Sequence, residues 1–264
     1  PEGYKKRFLD DGWDESTAGR YGMIENIDDN FGLLMEKLDE WGAWDDTLVI
    51  FTTDNGQAGK GAKKNGERVT LHTAGFKSGK GSVHEGGAHV PSFWRWKGVL
   101  EEGGDINALT AHIDIYKTFC DLAGVEIPDG FQKIDGRTML PLLESADVDW
   151  ADRHLFFHKG RWEKGEDPNL SRHKNYAVRN TRWRLVNGDE LYDISKDPYE
   201  STNVVDQNPE VVAELKKVYD QWWEETVPLM VNEDADYAEE HPQGARYEKQ
   251  LAEKGIPDWK TPEL

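Results

Sequence analysis

The chain has 264 residues, with 51 Asp plus Glu against 32 Lys plus Arg, for a formal net charge of −19. That length holds one large domain or two small ones with a real core, and so acidic a surface disfavours non-specific binding to nucleic acid or to anionic membranes. Hydrophobic residues are a modest 37%, but 11 tryptophans add large areas to bury, so a folded protein is expected.

Pro1–Glu15 is polar. Ser16 or Thr17 can cap a helix predicted to run to about Trp41 and to stop at Gly42. Ile24, Ile27, Phe31, Leu34, Met35 and Leu38 recur at three-four spacing and predict one buried stripe. Thr47–Thr53 follows as a strand. Its apolar run Leu48–Phe51, set between Asp45-Asp46 and Asn55-Gly56, is the pattern of a strand buried on both faces, as in a parallel sheet. Helix then strand in this order fits a layered α/β domain. From Asn55 to about Gly87 no period is visible; glycine recurs, and Lys60, Lys63, Lys64, Lys77 and Lys80 concentrate positive charge. A loop this long inside a compact domain is functional or disordered.

Val90–Trp96 reads as another strand, with Pro91 at its start. Leu109–Ile113 is predicted as a strand leading into a helix from Asp114 to Ala123, stopped by Gly124, and Thr138–Leu143 as a short helix. The acidic, small and polar stretch Ser145–Asp152 reads as a boundary. Beyond it Leu155–His158, Tyr176–Arg179 and Arg182–Val186 are short strands. Asn187-Gly188 joins the last of these to Glu190–Tyr192 as a two-residue hairpin. Asn208-Pro209-Glu210 starts a helix with Pro at its first position, and Val212, Leu215, Tyr219 and Trp222 line one face of it. Asn232–Leu264 is charged and without clear period, a surface tail. The single cysteine, Cys120, has no intramolecular partner, and its apolar setting predicts a buried structural thiol. No apolar run approaches the roughly 18 residues of a membrane span. No secretory signal stands at the start, and a chain that opens on Pro1 without methionine is expected to be a fragment.

Two stretches carry chemistry. Asp54 and Asn55 fall at the carboxyl end of the Thr47–Thr53 strand, where ligands bind in open α/β sheets. A carboxylate beside a side-chain amide offers hard oxygens, suited to Ca²⁺ or Mg²⁺ rather than Zn²⁺, though the same pair also closes an ordinary Asx turn. Gly79-Lys80-Gly81-Ser82-Val83-His84-Glu85-Gly86-Gly87 sets one lysine in a glycine frame that lets backbone approach a ligand, and such a lysine meets an anion as a point charge.

The series Asp54-Asn55-Gly56, long loop, Gly79-Lys80-Gly81-Ser82, Glu85-Gly86-Gly87, Val90-Pro91 resembles the formylglycine-dependent (type I) sulfatases. The similarity continues through His112-Ile113-Asp114 with Thr118, Leu122-Ala123-Gly124, Asp135-Gly136-Arg137, Leu191-Tyr192-Asp193, Asp197-Pro198 and Asn203. It runs from roughly Tyr21 to Trp223 and covers the second half of the family pattern only. The resemblance implies an α/β fold: the later half of an alkaline-phosphatase-like mixed sheet with flanking helices, then a small α+β subdomain of antiparallel sheet plus C-terminal helix. The expected divisions are 1–146, 147–230 and a charged tail, 231–264.

The same resemblance implies hydrolysis of sulfate monoesters with Ca²⁺ or Mg²⁺ and a formylglycine nucleophile. Asp54 and Asn55 would be metal ligands, and Lys80 both catalytic and sulfate-binding. His158, with Arg161 and His173 around the same loop, would reach the leaving group. Glu85 is expected to bond backbone of the glycine-rich loop, and His112 and Asp114 to be structural. His89 stands where relatives often carry arginine, leaving open a substituted salt bridge or a surface side chain. The Cys/Ser-x-Pro-x-Arg motif that becomes formylglycine does not occur in this sequence, nor does the family's earlier aspartate pair. This chain alone is therefore expected to be inactive and to self-associate unless the missing half is supplied. Family analogy suggests a periplasmic or extracellular location and a sulfated small molecule or glycan as substrate. Two alternatives stay open: a phosphate- or phosphonate-ester hydrolase of the same superfamily, whose two-metal members commonly carry Asp-His at the Asp54-Asn55 position, and a non-catalytic module that binds sulfated glycans.

Overall fold

A computed structural model describes the chain except residues 1, 60, 73, 129, 131, 132, 146, 164, 231–240 and 256–264. Lys60 and most of the expected tail thus lie outside the described residues. The chain begins with helix α1 (Glu2–Asp10), which the polar composition of Pro1–Glu15 did not announce. Helix α2 (Glu15–Glu40) follows, and its cap is Asp14 rather than Ser16 or Thr17. The Asp14 carboxylate accepts from the Ser16 and Thr17 N–H groups, both at 3.1 Å.

Strand β1 (Val49–Thr52) pairs antiparallel with β4 (Ser92–Arg95), Ile50 opposite Trp94. The expectation of a parallel strand buried on both faces is corrected: among the described residues β1 has only this antiparallel neighbour, and Phe51 is exposed. The predicted α2 stripe is corrected likewise. Ile24, Ile27 and Leu34 are exposed, and Phe31 meets β1 through an edge contact with Phe51 at 5.7 Å. Their periodicity describes a face built to be covered, and the described residues do not cover it.

The long loop after β1 contains a hairpin, β2 (Gly61–Lys64) and β3 (Glu67–Thr70). Asn65 and Gly66 turn it with φ of +53° and +85°, the left-handed pair of a type I′ turn. A one-turn helix α3 (Glu85–Ala88) precedes β4. Helix α4 (Ile113–Leu122) forms where a helix was expected, but the strand predicted at Leu109–Ile113 does not. Its carbonyl and amide groups serve the helix start instead: Asp114, fully buried, accepts from the Ala111 N–H at 2.8 Å. Cys120 is only half-buried, since α4 leaves Tyr116 and Phe119 exposed. Helix α5 (Leu140–Glu144) is the predicted short helix.

Strands β5 (Leu155–His158), β6 (Tyr176–Arg179), β7 (Trp183–Val186) and β8 (Glu190–Asp193) form an antiparallel meander in that order. Asn187 and Gly188 make the β7–β8 turn at φ of +50° and +80°. Alternation along the strands gives the sheet two different faces. Tyr176, Val178, Leu185 and Leu191 face helix α6 (Pro209–Thr226) and pack on Leu215, Tyr219 and Trp223. Ala177, Val186 and Tyr192 face the other way, with Val83 of the glycine-rich loop. Helix α7 (Pro242–Lys254) lies within the expected tail and has no buried residue.

Candidate active site

The glycine-rich loop is the element that the rest of the site is built around. The alternation that sends Leu185 and Leu191 to α6 sends Arg179, Arg184, Glu190 and Tyr192 to the opposite face, under residues 77–87. There Glu85 is buried, and its carboxylate receives Arg184 Nη2 at 2.5 Å, His89 Nδ1 at 2.9 Å and Arg179 Nη1. Burial alone would raise its pKa. The His89 hydrogen bond and the Arg184 and Arg179 charges outweigh burial and hold the carboxyl at about 2. Arg184 also donates to the Val83 carbonyl at 2.5 Å. A second buried carboxylate, Glu200, accepts from the Glu85 N–H at 2.9 Å and meets His84 Nδ1 at 3.2 Å.

Glu85 is therefore structural, as expected, but its partners differ from the expectation. Its carboxylate binds side chains of the sheet, while Glu200 takes the loop backbone. His89 is a salt-bridge partner and stacks on Phe76 at 4.5 Å. Lys77 is equally committed: it donates to Glu190 Oε2 at 2.7 Å and to the Tyr192 hydroxyl at 2.6 Å. Burial and the Glu190 carboxylate push the Tyr192 phenol up to about 12.

On this base the two sequence-distant motifs meet. The Gly56 N–H donates to the Gly87 carbonyl at 3.0 Å, and the Lys80 N–H donates to the Gln57 carbonyl at 2.9 Å. The approach is close enough to need glycine: a Cβ on Gly56 would stand 1.9 Å from the Gly86 oxygen, and one on Gly87 2.2 Å from the Ser82 oxygen. His112 Nε2 donates to the Thr53 carbonyl at 2.8 Å, and Arg20 of α2 to the Ala58 carbonyl at 2.9 Å, fixing the segment on either side of Asp54-Asn55. Asp54 and Lys80 are exposed and Asn55 half-buried. Neither Asp54 nor Lys80 has an ion-pair partner among the described residues.

Asp54 and Asn55 supply a hard-oxygen pair that fits part of a Ca²⁺ or Mg²⁺ shell. Among the described residues no group of three or more His, Cys, Asp or Glu could hold a metal, so a complete shell of about six to eight oxygens needs donors from elsewhere.

Asp114 and His112 are positioned as structural residues. Asp114 accepts from Arg153 Nη1 at 2.7 Å and from the Arg137 N–H at 3.0 Å, clamping α4 to the start of the meander. His158 is not an open side chain: Nε2 meets the Ser171 carbonyl at 2.9 Å and the ring lies edge-on to Trp223 at 4.7 Å. His173 pairs with Asp220 of α6 at 2.8 Å. The side chain that does approach the glycine-rich loop is Lys159, one residue past His158. Its Nζ lies 3.1 Å from where a Cβ on Gly81 would be. Nothing in the sequence around Lys159 marks it; only the pairing of β5 with β6 and the Lys159 N–H bond to Asn175 O at 2.8 Å aim it there.

This arrangement is an α/β layer with a cationic glycine loop at a strand's carboxyl end, braced by a small antiparallel sheet. Comparison with known proteins names it. Residues 78–225 match the family model "N-sulphoglucosamine sulphohydrolase, C-terminal", and residues 1–125 match the model "Sulfatase". The chain belongs to the sulfatase family, with an alkaline-phosphatase-like fold. It is 37% identical over 153 residues to steryl-sulfatase of Mus musculus, covering 57% of this chain and 24% of that protein. It is 27% identical over 260 residues to the uncharacterized sulfatase YdeN of Escherichia coli strain K12, covering 86% and 44%. The crystal structure of Ps i-CgsB in complex with k-i-k-neocarrahexaose superposes with a TM-score of 0.65 at 23% identity, covering 96% of this chain and 52% of that one. The chain thus spans about a quarter to a half of the proteins it matches.

Proposed function

We propose that this chain carries half of the active site of a sulfate-ester hydrolase. Asp54 and Asn55 would be metal ligands and Lys80 the cation that binds the sulfate. The reading is carried by one observation: the Gly56–Gly87 and Lys80–Gln57 backbone bonds bring Asp54-Asn55 and Lys80 into a single loop cluster. Cleavage of a sulfate ester develops negative charge on the leaving oxygen and on the sulfuryl oxygens. A lysine held on a braced loop stabilises that charge with little reorganisation. A divalent cation bound at Asp54 and Asn55 would polarise the sulfuryl oxygens. The Glu85–Arg184 and Glu85–Arg179 pairs act on this chemistry only by fixing the loop. His158, tied to Ser171, would orient the turn from which Lys159 extends.

The domain division at about residue 146 belongs to the same proposal: residues up to the boundary bear the site, and the β5–β8 meander with α6 braces it. Because the nucleophile motif is absent from this sequence, the 264-residue chain alone should not turn over. The test is alcohol release from an aryl sulfate and from a matched phosphodiester by a longer protein that includes this chain and the nucleophile. Sulfate-ester turnover should dominate and should fall about 10²–10³-fold in kcat on Lys80→Ala. Unchanged turnover in that variant, or release by the 264-residue chain alone, would overturn the assignment.

A further inference from the structure

The segment between β8 and α6 is a strap tied to the sheet at both ends. The Asp197 N–H donates to the Asp193 carbonyl at 2.8 Å, and the Val204 N–H to the Leu191 carbonyl at 2.9 Å. Asp197 Oδ2 accepts from the Thr202 N–H at 2.8 Å and closes the strap on itself. Its middle presses on the glycine-rich loop at two places. A Cβ on Gly75 would stand 2.8 Å from the Tyr199 ring, which also meets Phe76 at 5.8 Å. Glu200 grips the other end of the loop: Oε2 accepts from the Glu85 N–H at 2.9 Å, and Oε1 meets His84 Nδ1 at 3.2 Å. Lys80 lies between these two ends. The Gly86 N–H bond to the Lys77 carbonyl, at 2.8 Å, closes the turn that carries it.

Glu200 holds this position against its own backbone preference. It is buried and adopts φ of +55°, a left-handed conformation that favours glycine. Such strain persists only where the surroundings fix it, and it gathers at ligand clamps and active sites. A residue needed only to turn the strap would be glycine; glutamate adds a carboxylate. That carboxylate takes the first N–H of α3, which the residue before it, His84, does not cap with its side chain. From this we infer that Glu200 is a positioning residue for Lys80. It acts on the loop backbone, whereas Glu85 ties the loop to side chains of the sheet. The inference rests on Lys80 being the sulfate-binding lysine.

The experiment has two readouts. The first is amide hydrogen exchange of the 264-residue chain, comparing residues 77–87 with residues 176–186 of the sheet. Glu200→Gly relieves the strained backbone but removes the carboxylate, so exchange over 77–87 should speed about tenfold while the sheet stays within about twofold. Glu200→Gln keeps an acceptor for the Glu85 N–H and should hold exchange within about threefold of the unaltered chain. Unchanged exchange over 77–87 in Glu200→Gly, or equal acceleration in both segments, would overturn the inference. The second readout is aryl sulfate turnover by the longer protein that includes the nucleophile. Glu200→Gly should lower kcat/KM about tenfold, with Glu200→Gln restoring most of it, and the loss should vanish in a Lys80→Ala background because Glu200 acts through that lysine. Losses that simply multiply in the double variant would overturn the inference and leave Lys80 in place. Turnover indifferent to Lys80→Ala would remove the underlying reading and this inference with it.

Discussion

Replacing Glu85 by Gln tests whether the buried ion pairs hold the glycine-rich loop. The side chain keeps its shape, but Arg179 and Arg184 lose the carboxylate they share. A carboxyl that ionises at about 2, against an ordinary 4.5, gains about 3 kcal/mol from folding at neutral pH, at ~1.36 kcal/mol per pKa unit. Breaking a buried pair by removing one partner costs about 3–5 kcal/mol, so the two routes agree in scale. The sign fixes the pH window. Because folding lowers the pKa, the stabilisation is complete above about 4.5 and is lost as pH falls towards about 2. Urea unfolding of Glu85→Gln and the unaltered chain, followed by tryptophan fluorescence, should therefore show a gap of about 3 kcal/mol at pH 7 that narrows below pH 4.5. A gap under about 1 kcal/mol at pH 7, or one that stays constant down to pH 2.5, would refute the assignment of Glu85 as the charged anchor of the loop.

Gly56→Ala should cost about 1–3 kcal/mol in a thermal melt, because its Cβ would strike the Gly86 carbonyl, whereas Gly104→Ala, with nothing within 4 Å, should be neutral; equal melting points would show that the two motifs do not pack as described. Asn187→Ala removes the acceptor of the Tyr176 N–H and puts alanine at φ of +50°, so it should cost about 1 kcal/mol or more in chemical denaturation; a neutral result would contradict the turn. The exposed apolar side chains Ile24, Ile27, Phe51 and Phe93 should make the isolated chain self-associate at micromolar concentration, with Phe93→Ser shifting light scattering towards monomer; a monodisperse monomer at that concentration would contradict it. With only Asp54 and Asn55 as ligands, Ca²⁺ should bind the isolated chain weakly, and Asp54→Ala should abolish the heat seen in calorimetry; micromolar affinity surviving Asp54→Ala would move the metal elsewhere.

The meander was legible because its signals are local. Asn187-Gly188 demands a particular turn, and Pro209 with Leu215 and Tyr219 specifies where α6 starts and which face it buries. The β2–β3 hairpin carried the same Asn-Gly signal at Asn65-Gly66, but flanking Lys63-Lys64 and Glu67-Arg68 show no apolar alternation to mark strands. Helix α7 carries only a short apolar face, Tyr247 and Leu251 one turn apart and both exposed, too brief to stand out among its charged residues. For β1 the apolar run was right and its surroundings were not, because burial depends on what lies across the sheet and not on the strand itself. The candidate site shows the same division. Asp54, Asn55 and Lys80 stand out by sequence pattern. What holds them does not: Glu85 meets Arg179 and Arg184 across 94 and 99 residues, and Lys159 reaches Gly81 only through strand pairing.

The most direct test of Asp54, Asn55 and Lys80 as half of a sulfate-ester site is the sequence of the gene upstream of the Pro1 codon. An open frame carrying an aspartate pair and a Cys/Ser-x-Pro-x-Arg motif is the expected result, supplying the remaining metal ligands and the nucleophile. A start codon immediately before Pro1, with no such segment encoded, would contradict it.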